Sequence, residues 1–193
     1  MTPKLTSNKS STQLIIPKAM CNAYGFKTGY EVLLEERPDG LLIKKPCLAN
    51  DARRIWTIGY EKRRPDDFLA VLRRNRILQI IDVREVPFSR KPGFSGKALQ
   101  EMCSKNGIMY HHVKELGSPT EARKELKEGG SFDRFADRFL EHLSRNQQSL
   151  SFVEGLATSV PSVLLCFELE HDSCHRSLIA ERMTGNGFSV VHL

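Results

Sequence analysis

From residue 54 onward, short continuous apolar runs alternate with stretches in which apolar residues recur every three or four positions. Five runs read as strands: Ile55 to Gly59, Ile77 to Val83, Ile108 to Val113, Val163 to Phe167 and Phe188 to His192. The second is apolar almost throughout, as expected for a strand covered on both faces. Between the strands, Pro65 opens a helix with Phe68, Leu69 and Leu72 on its apolar face, and proline suits that first turn. Ala98, Leu99, Met102 and Cys103 repeat at helical spacing up to Gly107, and Phe132, Phe135, Phe139, Leu140 and Leu143 mark a longer amphipathic helix. Further helices are predicted near Leu150 to Thr158 and over Cys174 to Met183. Strands alternating with helices imply a mainly parallel sheet covered on both sides, a three-layer α/β domain over residues 54–193. The charged stretch between Gly117 and Gly130 reads as a solvated helical excursion, with a lid over the strand ends as the alternative.

The first 46 residues follow another pattern. Met1 to Ser10 is polar and reads as a tail. Thr12 to Ile16 is a strand stopped by Pro17, which cannot donate to a ladder. Lys18 to Tyr24 is a short helix with Gly25 as its left-handed cap. Lys27-Thr28-Gly29 forms a turn, Tyr30 to Glu36 a strand, and Pro38-Asp39-Gly40 a hairpin turn into the return strand Leu41 to Lys45. So small a β module cannot bury a core alone, and it carries no metal motif, so oligomerisation is expected. Cys47 to Arg53 reads as a linker.

Composition narrows the class. At 193 residues, 40% hydrophobic and 27% charged, the chain is an ordinary globular protein of one or two domains. No run approaches the roughly 18 apolar residues of a membrane span. The polar N-terminus lacks the apolar centre of a secretory signal. A cytoplasmic location without membrane association is therefore expected. The five cysteines (Cys21, Cys47, Cys103, Cys166, Cys174) lack framework spacing and are expected to be reduced thiols. A formal net charge of +6 and a pI near 9.1 favour polyanionic partners without identifying one.

Two stretches resemble known families. Gln13-Leu14-Ile15-Ile16-Pro17-Lys18, then Gly25-Phe26-Lys27-Thr28-Gly29-Tyr30-Glu31-Val32, resembles the AbrB/MazE swapped-hairpin family over about residues 9–46. That resemblance implies an interlocked homodimer that binds DNA, with Lys9, Lys18 and Lys27 as candidate phosphate contacts. A dimerisation module with merely solvated lysines is the plainer alternative. Thr57-Ile58-Gly59-Tyr60, Asp82-Val83-Arg84, Pro87-Phe88-Ser89-Arg90, Gly93-Phe94-Ser95, Glu115-Leu116-Gly117, Cys166-Phe167-Glu168 and Cys174-His175-Arg176 are together similar to the family known as domain of unknown function 488, over about residues 55–193. That second resemblance implies the α/β domain and no particular activity. Between Ser118 and Ser149 the chain departs from the aromatic-rich segment that members often carry.

Most of the reactive side chains sit where predicted strands end: Tyr60, Asp82 and Arg84, Glu115, Glu168, then Cys174-His175-Arg176. Ligands of open parallel α/β sheets bind outside the carboxyl ends of the strands. These ends are therefore read as one site. A cysteine at a helix start has its thiolate stabilised by free N–H groups and the dipole, which makes Cys174 a candidate nucleophile. The plainer alternative is a helix start whose His175 and Arg176 satisfy carboxylates. Cys166, Cys174 and His175, with His171 as a further candidate, are ligand types that zinc prefers, although no Cys-x-x-Cys knuckle is present. Cys166 could equally be a small buried hydrophobe.

Asp82, at the end of a buried strand, needs a partner, which Arg84 or Arg176 can supply. Alternatively Arg84, Arg90 and Arg176 take phosphate, with Tyr60 and Ser89 as further phosphate or nucleic-acid contacts. The loop Gly93-Phe94-Ser95-Gly96 offers a ring to stack on a base. Asp82 and Glu168 together could hold Mg²⁺ through oxygen ligands, or act as general acid and base. His111 and His112 point to opposite faces of their strand, so at most one reaches the site. Trp56 is expected in the core.

The expectation from sequence is a DNA-associated homodimer whose α/β domain binds a phosphate-bearing ligand, nucleic acid foremost. If it processes that ligand, for instance as a hydrolase, then Asp82, Glu168 and Cys174 are the catalytic candidates and a divalent metal the cofactor these residues allow. Two alternatives stand beside it: a non-enzymatic transcription regulator or antitoxin-like protein, and a thiol- or metal-dependent enzyme acting on a small molecule.

Overall fold

The computed structural model describes residues 4–7, 12–23, 33–37, 40–44 and 53–193. The chain divides into two compact units, Met1–Pro46 and Cys47–Leu193. In the first unit, β1 (Lys4–Ser7) pairs antiparallel with β2 (Thr12–Ile15), α1 (Lys18–Ala23) follows, and β3 (Leu33–Arg37) pairs antiparallel with β4 (Gly40–Lys44). Strand β1 replaces the tail expected there. Its ladder sets Leu5 opposite Leu14 and Lys4 opposite Ile15, so β2 satisfies backbone groups that a polar sequence leaves unassigned. The predicted turn at residues 27–29 and the linker from 47 to 52 lie outside the described residues.

The second unit is built on a parallel sheet in the order β7-β6-β8-β5-β9. Its strands are β5 (Arg54–Gly59), β6 (Gln79–Asp82), β7 (Met109–His112), β8 (Ser162–Cys166) and β9 (Ser189–His192). The helices are α2 (Pro65–Arg74), α3 (Gly96–Lys105), α4 (Thr120–Lys127), α5 (Phe132–Arg145), α6 (Gln147–Ser159) and α7 (His175–Gly185), with a 3-10 turn at Lys114–Leu116. Local chemistry starts and stops them. Pro65 sits in the first turn of α2, and Ser95 and Ser131 cap α3 and α5 by accepting the Ala98 and Arg134 amides, both at 3.3 Å. After α3 the chain reverses through Gly107 at φ +72°, a conformation glycine adopts without a Cβ penalty. Among the described residues no helix is long and apolar enough to cross a membrane.

The pleat sorts the strand residues into two cores. Ile55, Ile81 and Leu164 pack with α5, α6 and α7, while Trp56, Ile58, Ile80, Val163 and Leu165 pack with α2 and α3. Leu140 departs from the apolar face expected of α5 and is 43% exposed. This layering positions the site. Strands β5 and β6 exit towards α2 and α3, whereas β8, lying between them, exits towards α7 on the opposite face. A crevice opens at the carboxyl end of a strand whose neighbours leave the other way.

Candidate functional site

A cleft of about 720 Å³ occupies that crevice. Its floor comes from the exits of β5, β6 and β8, and one wall comes from α4 through Arg123, Leu126 and Lys127. The charged stretch expected to be a solvated excursion thus borders the site, because it directly follows a strand exit. Glycine lets the exits crowd together. A Cβ on Gly59 would lie 1.7 Å from the backbone oxygen of Glu168, and one on Gly117 would lie 2.2 Å from the amide nitrogen of Glu85.

At the β6 exit the polar groups are joined to one another. Asp82 is fully buried. Arg84 donates Nε to Oδ1 at 2.8 Å and NH2 to Oδ2 at 2.5 Å, and Tyr110 donates its hydroxyl to Oδ2 at 2.6 Å. The remaining Arg84 side-chain bonds run from NH1 to the Tyr60 hydroxyl at 2.7 Å and to the Phe94 carbonyl at 3.0 Å, and its amide adds a bond to Asp82 Oδ1 at 3.2 Å. Burial works against the Arg84 charge, but hydrogen bonds and attraction to Asp82 outweigh it and raise the guanidinium above its ordinary value. Burial and the Asp82 charge likewise push Tyr110 up. The Tyr60 ring stacks on Phe94, with centroids 4.5 Å apart, and meets the edge of Phe167 at 5.4 Å. Of the roles open to Asp82, Arg84 and Tyr60 in the sequence, the structural ion pair is the one this geometry serves.

Arg176 is also committed. It is 1% exposed and donates NH1 to the Glu168 carbonyl and NH2 to the Leu169 carbonyl at 2.8 Å, pinning the loop after β8. It pairs with backbone and leaves the carboxylates to others. Ser89 accepts from the Lys91 amide at 3.1 Å, and Lys91 donates Nζ to the carbonyls of Tyr60 and Glu61. Arg90, in contrast, is exposed on the cleft with no ion pair among the described residues. Lys18 is exposed on α1 in the first unit, and Lys9 and Lys27 lie outside the described residues.

The β8 exit holds the second cluster. Cys166 ends the strand, Cys174 caps α7 and His175 begins it. Both thiols donate to Oε2 of Glu168, Cys166 at 2.8 Å and Cys174 at 3.1 Å. His175 donates its Nε2–H to the Val83 carbonyl at 2.8 Å, and its Nδ1 faces Cys166 Sγ at 3.6 Å and Cys174 Sγ at 3.8 Å. Burial alone would raise the Glu168 carboxyl. The Cys166 thiol, its own backbone amide, Cys174 and the His175 charge outweigh that and hold it below the ordinary carboxylate range. Burial pulls His175 down, yet Cys174, the Val83 carbonyl and Glu168 carry it upward. Cys174 itself, 2% exposed, is driven well up by burial and by Cys166. That direction is opposite to the lowered thiolate expected at the helix start, because the sulfur is buried beside Cys166.

His171 stays out of the cluster. It stacks on His192 at 3.7 Å and meets Asp172 at 2.8 Å. The Mg²⁺ pairing of Asp82 with Glu168 finds no support either, since both Asp82 oxygens are engaged by Arg84 and Tyr110. All four described cysteines are free thiols. Lys91, Arg123, Lys127, Ser118 and Ser173 reach the cleft without having been singled out, and only the position of α4 after a strand exit signalled any of them.

Fold and cleft together define a three-layer α/β domain with a cleft at the carboxyl ends of β5, β6 and β8. The family described as "Domain of unknown function DUF488" matches residues 64–183, more than half of the chain, and the chain belongs to that family. No curated protein and no solved structure matches it. The family match lies within the second unit and lends no support to an AbrB/MazE-like reading of the first.

Proposed function

We propose that the cleft binds a phosphate-bearing ligand with a flat ring, a nucleotide or a single-stranded stretch of nucleic acid. The observation that carries this reading is the presence of cations and rings around one cleft. Arg90 and Lys127 are exposed and lack ion-pair partners among the described residues, and they share the cleft with Phe88, 69% exposed, and Phe167, 43% exposed. A guanidinium forks onto phosphate oxygens, and exposed aromatic rings stack on bases whatever their sequence. A largely apolar cleft with a few convergent polar groups is the usual form of a small-ligand site.

In the same reading the first unit is a swapped-hairpin homodimerisation module that holds DNA through Lys9, Lys18 and Lys27, in a cytoplasmic protein. The run from Gln13 to Val32 and the order β2, α1, β3, β4 support it. Processing of the bound ligand falls to Glu168. Of the three catalytic candidates it is the one that lines the cleft without being buried, since Asp82 is enclosed and Cys174 is 2% exposed.

The test is a titration of the full chain with mononucleotides and with labelled single- and double-stranded DNA across a salt series. Wild type is expected to bind with a steep salt dependence. Arg90→Ala with Lys127→Ala is expected to weaken binding and flatten the single-strand slope by about 0.7 for each phosphate no longer neutralised, without loss of folding. Absence of binding to all of these ligands removes the reading. A slope that responds only to Lys9→Ala, Lys18→Ala and Lys27→Ala moves the nucleic-acid site to the first unit.

A further inference from the structure

The structure assigns a metal site to the floor of the same cleft: a zinc-class divalent cation held by Cys166 Sγ, Cys174 Sγ, His175 Nδ1 and a Glu168 carboxylate oxygen. It goes beyond the ligand proposed above and does not rest on it. One ligand atom from each of these residues lies within 4.8 Å of all the others. Three of the four residues are almost wholly buried, at 4%, 2% and 5% exposure for Cys166, Cys174 and His175. Two facing cysteines explained as small buried hydrophobes would sit among carbon atoms; these face a carboxylate and an imidazole.

The histidine is set for coordination. A carbonyl only accepts, so the Val83 oxygen keeps a proton on Nε2 and leaves Nδ1 as the nitrogen that faces both sulfurs and would take the ion. Metal-bound histidines are oriented in this way by a carbonyl or carboxylate at the other ring nitrogen. The Phe139 ring, 5.3 Å away and nearly edge-on, fixes the same plane from the α5 side.

The spacing also fits. Zinc–sulfur bonds of about 2.3 Å and zinc–nitrogen bonds of about 2.1 Å in a tetrahedron imply a sulfur–nitrogen edge of roughly 3.6 Å. The observed edges are 3.6 and 3.8 Å. Glu168 sits closer to the sulfurs than a tetrahedral edge requires, because each thiol donates to it. Entry of the ion releases both thiol protons to solvent, and the carboxylate then moves outward by roughly 0.5–0.8 Å.

Two thiolates and an imidazole select a soft or borderline ion such as zinc over magnesium or calcium. Glu168 is the half-buried member and lies on a loop lining the cleft. Its release would open a fourth position to whatever the cleft holds, as in catalytic zinc sites with three protein ligands.

The experiment uses the full reduced chain, stripped with a chelator and then titrated with Co²⁺ and Zn²⁺. A single ion per chain, a near-ultraviolet thiolate-to-cobalt charge-transfer band and its loss on adding Zn²⁺ are the expected results. In the same wild-type protein, Zn²⁺ is expected to slow alkylation of Cys166 and Cys174, read by peptide mass spectrometry, and to leave Cys21 unaffected. Cys166→Ser and His175→Ala are expected to lose the ion, while Glu168→Gln keeps the sulfur band with weaker retention. A folded wild type with neither band nor protection overturns the assignment without reference to any variant. So does full metal retention in the Cys166→Ser, Cys174→Ser double variant, or a Cys166–Cys174 disulfide whose reduction restores no metal uptake.

Discussion

Strands β6 and β8 lie side by side and leave the sheet with similar equipment, a carboxylate and an arginine at each exit, yet the two exits behave as opposites. At β6 the acid and the arginine bind each other. Asp82 takes two Arg84 side-chain donors, the Arg84 amide and the Tyr110 hydroxyl, and Arg84 completes its set on Tyr60 and Phe94. At β8 they ignore each other: Arg176 holds the backbone carbonyls of Glu168 and Leu169, and the Glu168 carboxylate is left to two thiols and an imidazole. A buried ion pair that satisfies itself is architecture, because any ligand would have to break it against a large desolvation cost. A half-buried carboxylate whose side-chain donors are two weak sulfur groups is available for exchange. Equal residue types at equivalent strand ends therefore say little about function until the pairing is known.

The contrast can be broken most forcefully at β6. Asp82→Ala would strand the Arg84 charge in the core and is expected to cost about 3–5 kcal/mol, measured by urea unfolding. Asp82→Leu with Arg84→Met should recover most of that loss. A single-variant cost below about 1 kcal/mol would mean that the pair is not closed as described. Next in size is Gly59→Ala, expected to cost about 1–3 kcal/mol by overpacking, since its new methyl would run into the Glu168 backbone. Because that collision moves the loop carrying Glu168, faster alkylation of Cys166 should accompany the loss. Unchanged thiol reactivity would uncouple the two exits.

The smallest effect lies beyond β6, at His111 on β7. Burial holds this imidazole below its ordinary value of 6.5. The unfolded chain therefore takes up the proton first as pH falls. The stability concerned is present above pH 6.5 and is lost as pH drops through the lower folded value. His111→Gln should flatten that part of the stability curve while leaving the region above it unchanged, and an unaltered acid limb in the variant would place the response elsewhere.

Much of the second unit was legible because hydrophobic periodicity is a local signal. Every predicted strand from Ile55 onward overlaps an observed one, α2, α3 and α5 fall where the apolar spacing puts them, and α6 and α7 overlap the two further helices predicted. The misses have local causes too. Ile77 to Val83 reads as one apolar run, but the strand covers Gln79–Asp82, with Leu78 and Val83 adding bonds to Pro161 and Leu165 at its ends, since Ile77 still belongs to the turn out of α2. Leu140 falls in the apolar stripe by spacing and still faces solvent. For β1 nothing in the polar run from Lys4 to Ser7 advertises a strand; its partner does.

By itself, the order of residues determined that a parallel α/β domain would form and that its reactive side chains would gather at the carboxyl ends of the strands. Both follow from period and position, which are properties of a neighbourhood in sequence. Which arginine would be tied to which oxygen, whether Cys174 would be a thiolate or a buried thiol, and whether His171 or Glu168 would complete the cluster were decided only in three dimensions. Each depends on distances between loops from different strands and on the burial those loops impose. Hydrogen bonds and desolvation act over a few ångströms, and residues as far apart as Val83 and His175 come within that range only once the sheet is assembled.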